Sequence, residues 1–182
     1  MSRTTSPTHT MLPFLYLKDC AHFHLRESEN NAQNTFHTSM SCIIFSAFTL
    51  DAFLNYIGNC VFDFWEELER HLTSVNKLNV ICSQLNISED FSKRPFQSFE
   101  KAINLKHSLN QGTIESYSRT ASTTHSASAP TGEEWKDWCH PGEARRIYDD
   151  TVRIMDLLSR EVQGVDYPLS VHEVDQAGFS GS

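Results

Sequence analysis

The sequence predicts an all-α fold, an up-and-down helical bundle of four to five helices with one long apolar central helix. Apolar residues recur at helical spacing over several long stretches, and no stretch shows the alternation that is typical of a strand. Breakers are sparse, with seven glycines and six prolines in 182 residues, which favours helices over a many-stranded sandwich. Apolar residues make up 39% of the chain, enough for a folded core.

The chain length fits one domain with flexible ends. We expect residues 1–17 to form a flexible N-terminal segment, residues 18–164 to form the bundle and residues 165–182 to form a loose C-terminal tail. The first helix is expected to begin within the mostly polar stretch 18–35.

The central helix is predicted by eight apolar residues whose spacing alternates between four and three, which places them on one helical stripe. These residues are Phe36, Met40, Ile43, Ala47, Leu50, Leu54, Ile57 and Val61. A helix so apolar must be covered on most sides. Because it also contains Asp51, Asn55 and several serines, a core helix is favoured over a membrane span.

Three further helical stretches follow. Residues 64–86 are predicted to be helical, with a new start at Thr73, which can cap a helix. Residues 95–112 run from a proline suited to a first turn to a glycine suited to a stop. The Ser/Thr-rich stretch 113–130 is predicted to be a mobile loop. A last helix is predicted for residues 141–164, again from a proline to a glycine.

The cellular setting is predicted from two features. The apolar segment 11–17 is short and interrupted by Pro13, so it fits neither a secretion signal nor a membrane span. The five cysteines are odd in number and contain no CxxC pair, which is typical of free thiols in a reducing compartment. We therefore expect a cytoplasmic protein without a membrane partner.

A metal site is not expected. Cys20, His22 and His24 form a metal-like cluster, but no fourth ligand stands at a recognisable spacing. No glycine-rich phosphate loop is present either, so neither a metal nor a small-molecule cofactor is predicted.

The most basic stretch of the chain lies in and just before the helix predicted for residues 95–112. The formal net charge of −8 opposes general binding of nucleic acid. A local patch of Lys93, Arg94, Lys101 and Lys106 is nevertheless a candidate for RNA binding. The alternative interpretation is an ordinary solvated helix face.

Three segments share their pattern with a known family: the apolar helix around 41–55, the segment 64–70, and the segment that runs from Arg94-Pro95 to Leu105-Lys106. Through these segments the chain resembles, over residues 36–163, the HEPN superfamily of small helical bundles. The resemblance implies a dimer and a composite, metal-independent ribonuclease site. That site is an arginine followed by a polar residue, with a histidine four to six residues after the arginine.

This sequence departs from the pattern at the catalytic positions. Lys106 stands in place of the arginine, His107 occupies the polar position, and Gln111 replaces the histidine. Lysine keeps the positive charge but loses the bidentate fork, and glutamine does not transfer protons near neutral pH. His107 could substitute as the acid–base group, but it is about 100° round the helix from Lys106, so we expect the two side chains to diverge.

The resemblance therefore predicts a non-catalytic, dimerising module that interacts with a partner protein or RNA. Two alternatives stay open. One is a metal-independent endoribonuclease of a toxin–antitoxin or defence system, with a rearranged site near Lys106 and His107. The other is a helical accessory protein whose resemblance to the family is architectural only.

Overall fold

Helices dominate the protein. The computed structural model describes residues 12–111 and 134–162, and within these ranges it contains seven α-helices, one short 3-10 helix and no strand. The α-helices are α1 (Pro13–Asn30), α2 (Thr35–Val61), α3 (Trp65–Leu68), α4 (Ser74–Gln84), α5 (Phe96–Gln111), α6 (Glu134–Trp138) and α7 (Pro141–Glu161), and the 3-10 helix is Glu69–His71. The predicted all-α class is confirmed.

Helix α2 contributes most to the buried core. It packs against α1, α4, α5 and α7. Its apolar stripe accounts for this, because the members from Ile43 to Ile57 are buried while those at its two ends are half-buried. Among the described helices, α2 is the one long and apolar enough to cross a membrane by length and composition, and half of its most apolar window is buried inside the protein.

Helix α1 corrects the predicted N-terminal boundary. It begins at Pro13, so residues 13–17 are helical, and the prediction of a flexible segment up to residue 17 was wrong for them. Phe14 and Leu15 are buried, and Ala21 and Leu25 continue the same buried side. Polar residues such as His22, Arg26 and Glu29 occupy its exposed side and hid this helix in the sequence, and Pro13 fits its first turn.

The break predicted at Thr73 is confirmed. The Thr73 side chain accepts a hydrogen bond from the Asn76 backbone N–H at 3.2 Å, which caps α4. Before this cap, the buried Trp65 ring lies directly against Gly58 of α2. The lack of a side chain at Gly58 is what lets the indole reach the helix backbone.

Helices α5 and α7 begin close to their predicted starts. Helix α5 follows Pro95 directly, and α7 begins at Pro141, where the His140 ring Nδ1 accepts a hydrogen bond from the Glu143 backbone N–H. The two helices pack against each other and against α2. The predicted loop 113–130, the stops at residues 112 and 164 and the tail 165–182 lie outside the described residues.

Candidate functional site at the α2–α5 face

The candidate site residue Lys106 turns towards α2. Its Nζ donates a hydrogen bond to Oδ2 of Asp51, and it also lies 5.5 Å from the ring centroid of Phe48. Both members of the ion pair are half-buried, with side-chain exposures of 17% for Lys106 and 26% for Asp51. The positive charge of Lys106 is therefore already neutralised within the fold.

A groove of about 510 Å³ opens beside this ion pair. Ile44 and Phe48 of α2 line it together with Lys106, His107, Leu109 and Asn110 of α5. Phe48 is 42% exposed and Leu109 is 36% exposed, so apolar surface faces outward here. Two exposed apolar side chains therefore lie beside polar groups in this groove.

The structure brings two of the three predicted catalytic candidates to this groove. Lys106 and His107 both line it, although Lys106 turns inward to Asp51 while His107 is exposed. The two side chains point in different directions, as expected, but both still line the same groove. Gln111 is the last residue of α5, and its side chain lies outside the described part of the structure.

The other predicted RNA-binding cations do not join this groove. Arg94 binds the fully buried Asp150 carboxylate of α7 through Nε at 2.6 Å and Nη2 at 2.9 Å. This hydrogen-bonded fork raises the pKa of the Arg94 guanidinium above its ordinary value. Ser98 donates to the same carboxylate at 2.6 Å, so Asp150 has the partners that a buried charge needs.

Lys101 and Lys93 are also paired. Lys101 Nζ lies 2.5 Å from Oε1 of Glu143 and 4.5 Å from the centroid of the Trp138 ring. Lys93 is exposed and forms a surface pair with Asp90 at 2.9 Å. The four predicted cations therefore each have a carboxylate partner: Arg94 and Lys101 pair with carboxylates of α7, Lys106 pairs with α2, and Lys93 pairs with Asp90 at the surface.

Sequence reasoning missed the roles of three buried or half-buried carboxylates, Asp51, Glu143 and Asp150, of which the first and last left a signal in the sequence. Asp51 is the only carboxylate within residues 36–61, and a lone charge in so apolar a helix needs a partner. Asp150 stands three residues after Ile147 and four before Ile154, which places it on the buried stripe of α7. Both positions signalled an internal ion pair, but neither named the cation.

The cluster of Cys20, His22 and His24 does not converge. The His22 ring stacks on Tyr148 of α7, and the His24 ring stacks on Phe45 of α2, each with centroids 5.5 Å apart. Cys20 is exposed. Among the residues that the structure describes, no group of three or more His, Cys, Asp or Glu side chains is placed to hold a metal ion.

The three most buried cysteines are poor nucleophiles. Burial raises the pKa of the Cys42 and Cys82 thiols to about 12 and that of Cys139 to about 11. Thiolate is the reactive form of cysteine, so these groups are inert at neutral pH.

Comparison of the chain with protein-family models, with curated proteins and with solved structures finds no match.

Proposed function

We propose that this chain is a non-catalytic, HEPN-like interaction domain of the cytoplasm that forms a homodimer through the α2–α5 face and binds a partner protein or RNA. In this proposal the longer helices form an up-and-down bundle of four to five main helices with α2 at the centre. The observation that carries the proposal is the ion pair between Lys106 and Asp51 beside the apolar groove.

The ion pair argues against phosphate chemistry at Lys106. A cation that stabilises a phosphoryl transition state must direct its charge at the substrate. The Lys106 ammonium instead contacts a carboxylate within the fold, and its pairing leaves the site without net charge from these two groups. Because lysine also lacks the guanidinium fork, the position is poorly suited to hold a scissile phosphate.

The groove argues for a protein contact at the same place. Ile44, Phe48 and Leu109 provide apolar surface, and His107 and Asn110 provide polar groups beside it. A partly apolar patch with a polar edge has the anatomy of a protein interface. A twofold dimer would place the same patch of each copy against the other.

A second candidate function is the metal-independent endoribonuclease. The observation in its favour is that the exposed His107 lines the same groove as Lys106, so an acid–base group and a cation are close together. In this case Asp51 would have to release Lys106 when RNA binds.

The two candidates are separated by one cleavage assay. The purified protein and a His107→Ala variant are incubated with mixed RNA in the presence of EDTA. The proposal predicts intact RNA with both proteins. Cleavage by the wild type that disappears in the variant would replace it with the endoribonuclease.

The dimer is tested by sedimentation velocity. The wild-type chain is expected to sediment as a dimer, and Phe48→Asp is expected to shift it to a monomer because a carboxylate would be desolvated in the interface. Phe23→Asp is the matched control, since Phe23 is 60% exposed on α1 and does not line the groove. A wild-type monomer at all concentrations would favour the architectural alternative, a helical accessory protein.

A further inference from the structure

The outer side of α1 carries a second stripe, separate from the apolar residues that pack into the core. Its members are spaced four, three and four positions apart, which places them on one face of the helix. They are Tyr16, Cys20, Phe23 and Glu27. Phe23 is 60% exposed and Tyr16 is 45% exposed, and Cys20 between them is also exposed. The stripe therefore presents two aromatic rings to solvent within about two helical turns.

Two side chains of opposite charge follow one flank of this stripe. Asp19 and Arg26 are seven residues apart, so they lie on the same side of the helix about two turns from each other. Arg26 is exposed and Asp19 is half-buried. The flank thus has a carboxylate towards the beginning of α1 and a guanidinium towards its end.

The stripe is self-complementary when two copies of α1 lie antiparallel across a twofold axis. In such a pair, residues at equal distances on either side of the axis face each other. An axis midway between Cys20 and Phe23 places the ring of Phe23 in each copy against Cys20 of the other. Tyr16 and Glu27 have the same midpoint, so the phenol of one copy can donate a hydrogen bond to the carboxylate of the other.

The charges of the flank fit the same axis. The midpoint of Asp19 and Arg26 lies one residue further along the helix, a displacement of about 1.5 Å. A twofold axis perpendicular to two antiparallel helices brings the same flank of each copy together. Asp19 of each copy therefore faces Arg26 of the other, and like charges do not meet.

We propose that the outer face of α1 is a docking surface for α1 of a second copy of this chain, in antiparallel orientation. The opposite charges at equal distances from one axis are the reason to choose a second copy over an unrelated partner. Two aromatic side chains per copy provide most of the apolar area. We therefore expect a weak contact, in the class of interfaces that bury less than about 1,200 Å².

A lipid surface fits this face less well. Helices that lie on membranes carry lysine and arginine around their apolar side, which attract anionic lipids. The stripe of α1 instead has the carboxylates of Asp19 and Glu27 beside it, with Arg26 as the cation of its flank. The chain as a whole carries a formal net charge of −8, which also opposes approach to an anionic membrane.

This surface is distinct from the α2–α5 face, because none of its residues lines the groove. If both contacts form, the α1 face joins homodimers into larger assemblies, and this consequence rests on the proposed function. The α1 contact itself does not depend on the α2–α5 dimer, so either proposal can fail alone.

The test is cross-linking through the native Cys20 thiol in a full-length Cys60→Ser chain, which leaves Cys20 as the one exposed cysteine of the five. At high protein concentration a short bismaleimide is expected to give a covalent dimer on a denaturing gel, because both Cys20 thiols lie near the axis. Phe23→Asp in this chain is expected to lose the covalent dimer while sedimentation still shows the α2–α5 dimer. Labelling with a monofunctional maleimide checks that Cys20 reacts equally in both chains.

Charge reversal tests the antiparallel register. Asp19→Arg leaves cations at both flank positions, and Arg26→Asp leaves carboxylates at both, so like charges meet across the axis in each variant. Each is expected to weaken association about tenfold, because two attractive pairs become repulsive. An equimolar mixture of the two variants is expected to restore the cross-link, because every cation again faces a carboxylate.

The matched control is Arg70→Asp, which reverses an exposed charge outside α1 and is expected to cross-link as the parent chain does. Circular dichroism checks that each variant is folded. No covalent dimer through Cys20, or a mixture that cross-links no better than the single variants, would overturn the proposal. A cross-link that survives both charge reversals but disappears in Phe48→Asp would overturn it too, because the Cys20 thiols would then meet through the α2–α5 dimer. Loss of the sedimenting dimer with a retained, charge-sensitive cross-link would remove the α2–α5 dimer alone.

Discussion

The contact between Gly58 and Trp65 predicts that Gly58→Ala destabilises the protein. A Cβ atom at this position would lie 2.0 Å from Cε2, 2.3 Å from Cδ2 and 2.5 Å from Cζ2 of the buried indole. Overpacking a core costs about 1–3 kcal/mol. Three contacts this short place the cost at the upper end of that range, about 3 kcal/mol. Alanine in place of glycine within a helix restores about 1 kcal/mol. The free energy of unfolding is therefore expected to fall by about 2 kcal/mol.

The measurement is urea unfolding followed by far-UV circular dichroism. A loss of this size also lowers the melting temperature of a chain of this length by about 4–8 °C. Gly142→Ala is the matched control, because the nearest atoms there belong to the His140 ring at 3.4 Å, an ordinary contact. It is expected to be neutral or to stabilise by up to about 1 kcal/mol. Equal stability of Gly58→Ala and wild type would refute the packing argument.

Three further predictions concern the charged and sulfur-containing side chains. Asp150→Asn is expected to cost about 1.5–3 kcal/mol in urea unfolding, because it removes the buried carboxylate that accepts hydrogen bonds from Arg94 and Ser98, while the 42% exposed Arg94 stays hydrated. Native thiol labelling at pH 8 is expected to modify only the two exposed cysteines rapidly, because burial raises the pKa of the other three. The hydrogen bond from Arg145 lowers the pKa of Glu29 below 4.5, so Glu29→Gln is expected to lose a small stability increment, under about 1 kcal/mol, at pH 7. Since the folded pKa is depressed, this increment is present above pH 4.5 and disappears as the pH falls through the folded pKa.

Each of these predictions has a control variant or an outcome that would contradict it. Asp90→Asn removes an exposed ion pair and is expected to leave stability unchanged, so an equal effect at Asp90 and Asp150 would contradict the role of burial. Rapid labelling of all five thiols in folded protein would contradict the buried positions of three of them. A stability difference between Glu29→Gln and wild type that grows as the pH falls would reverse the expected sign.

Sequence periodicity was sufficient for the helices whose apolar residues form one stripe. The stripe of α2 and the prolines before α5 and α7 are local signals, and these helices begin close to where the sequence places them. Helix α1 was harder to place, because its buried side includes Ala21 and Ser28 and gives a weak apolar pattern. Its burial depends on its contact with α2, and the pattern of residues within α1 alone does not show that contact.

The candidate site was less predictable, because its electrostatics come from residues distant in sequence. Lys106 is 55 residues from Asp51, and Arg94 is 56 residues from Asp150. In the structure the lysines and arginines of the basic stretch form ion pairs with carboxylates of the same chain. A count of basic residues did not reveal this pairing. Arg146 and Arg153 of α7 also take part in these ion pairs, and the sequence did not associate them with Lys101 and Arg94.

The central claim, that two copies meet through the α2–α5 face, is tested most directly by chemical cross-linking. His107→Cys is introduced into a Cys20→Ser, Cys60→Ser background, which removes the two exposed native thiols. A short bismaleimide is then expected to produce a covalent dimer, because His107 lines the groove that the proposed twofold dimer would place against its copy. A Gln84→Cys chain in the same background, with its thiol exposed at the end of α4, is expected to stay monomeric on a denaturing gel. Monomer alone from His107→Cys, or equal cross-linking at both positions, would contradict the claim.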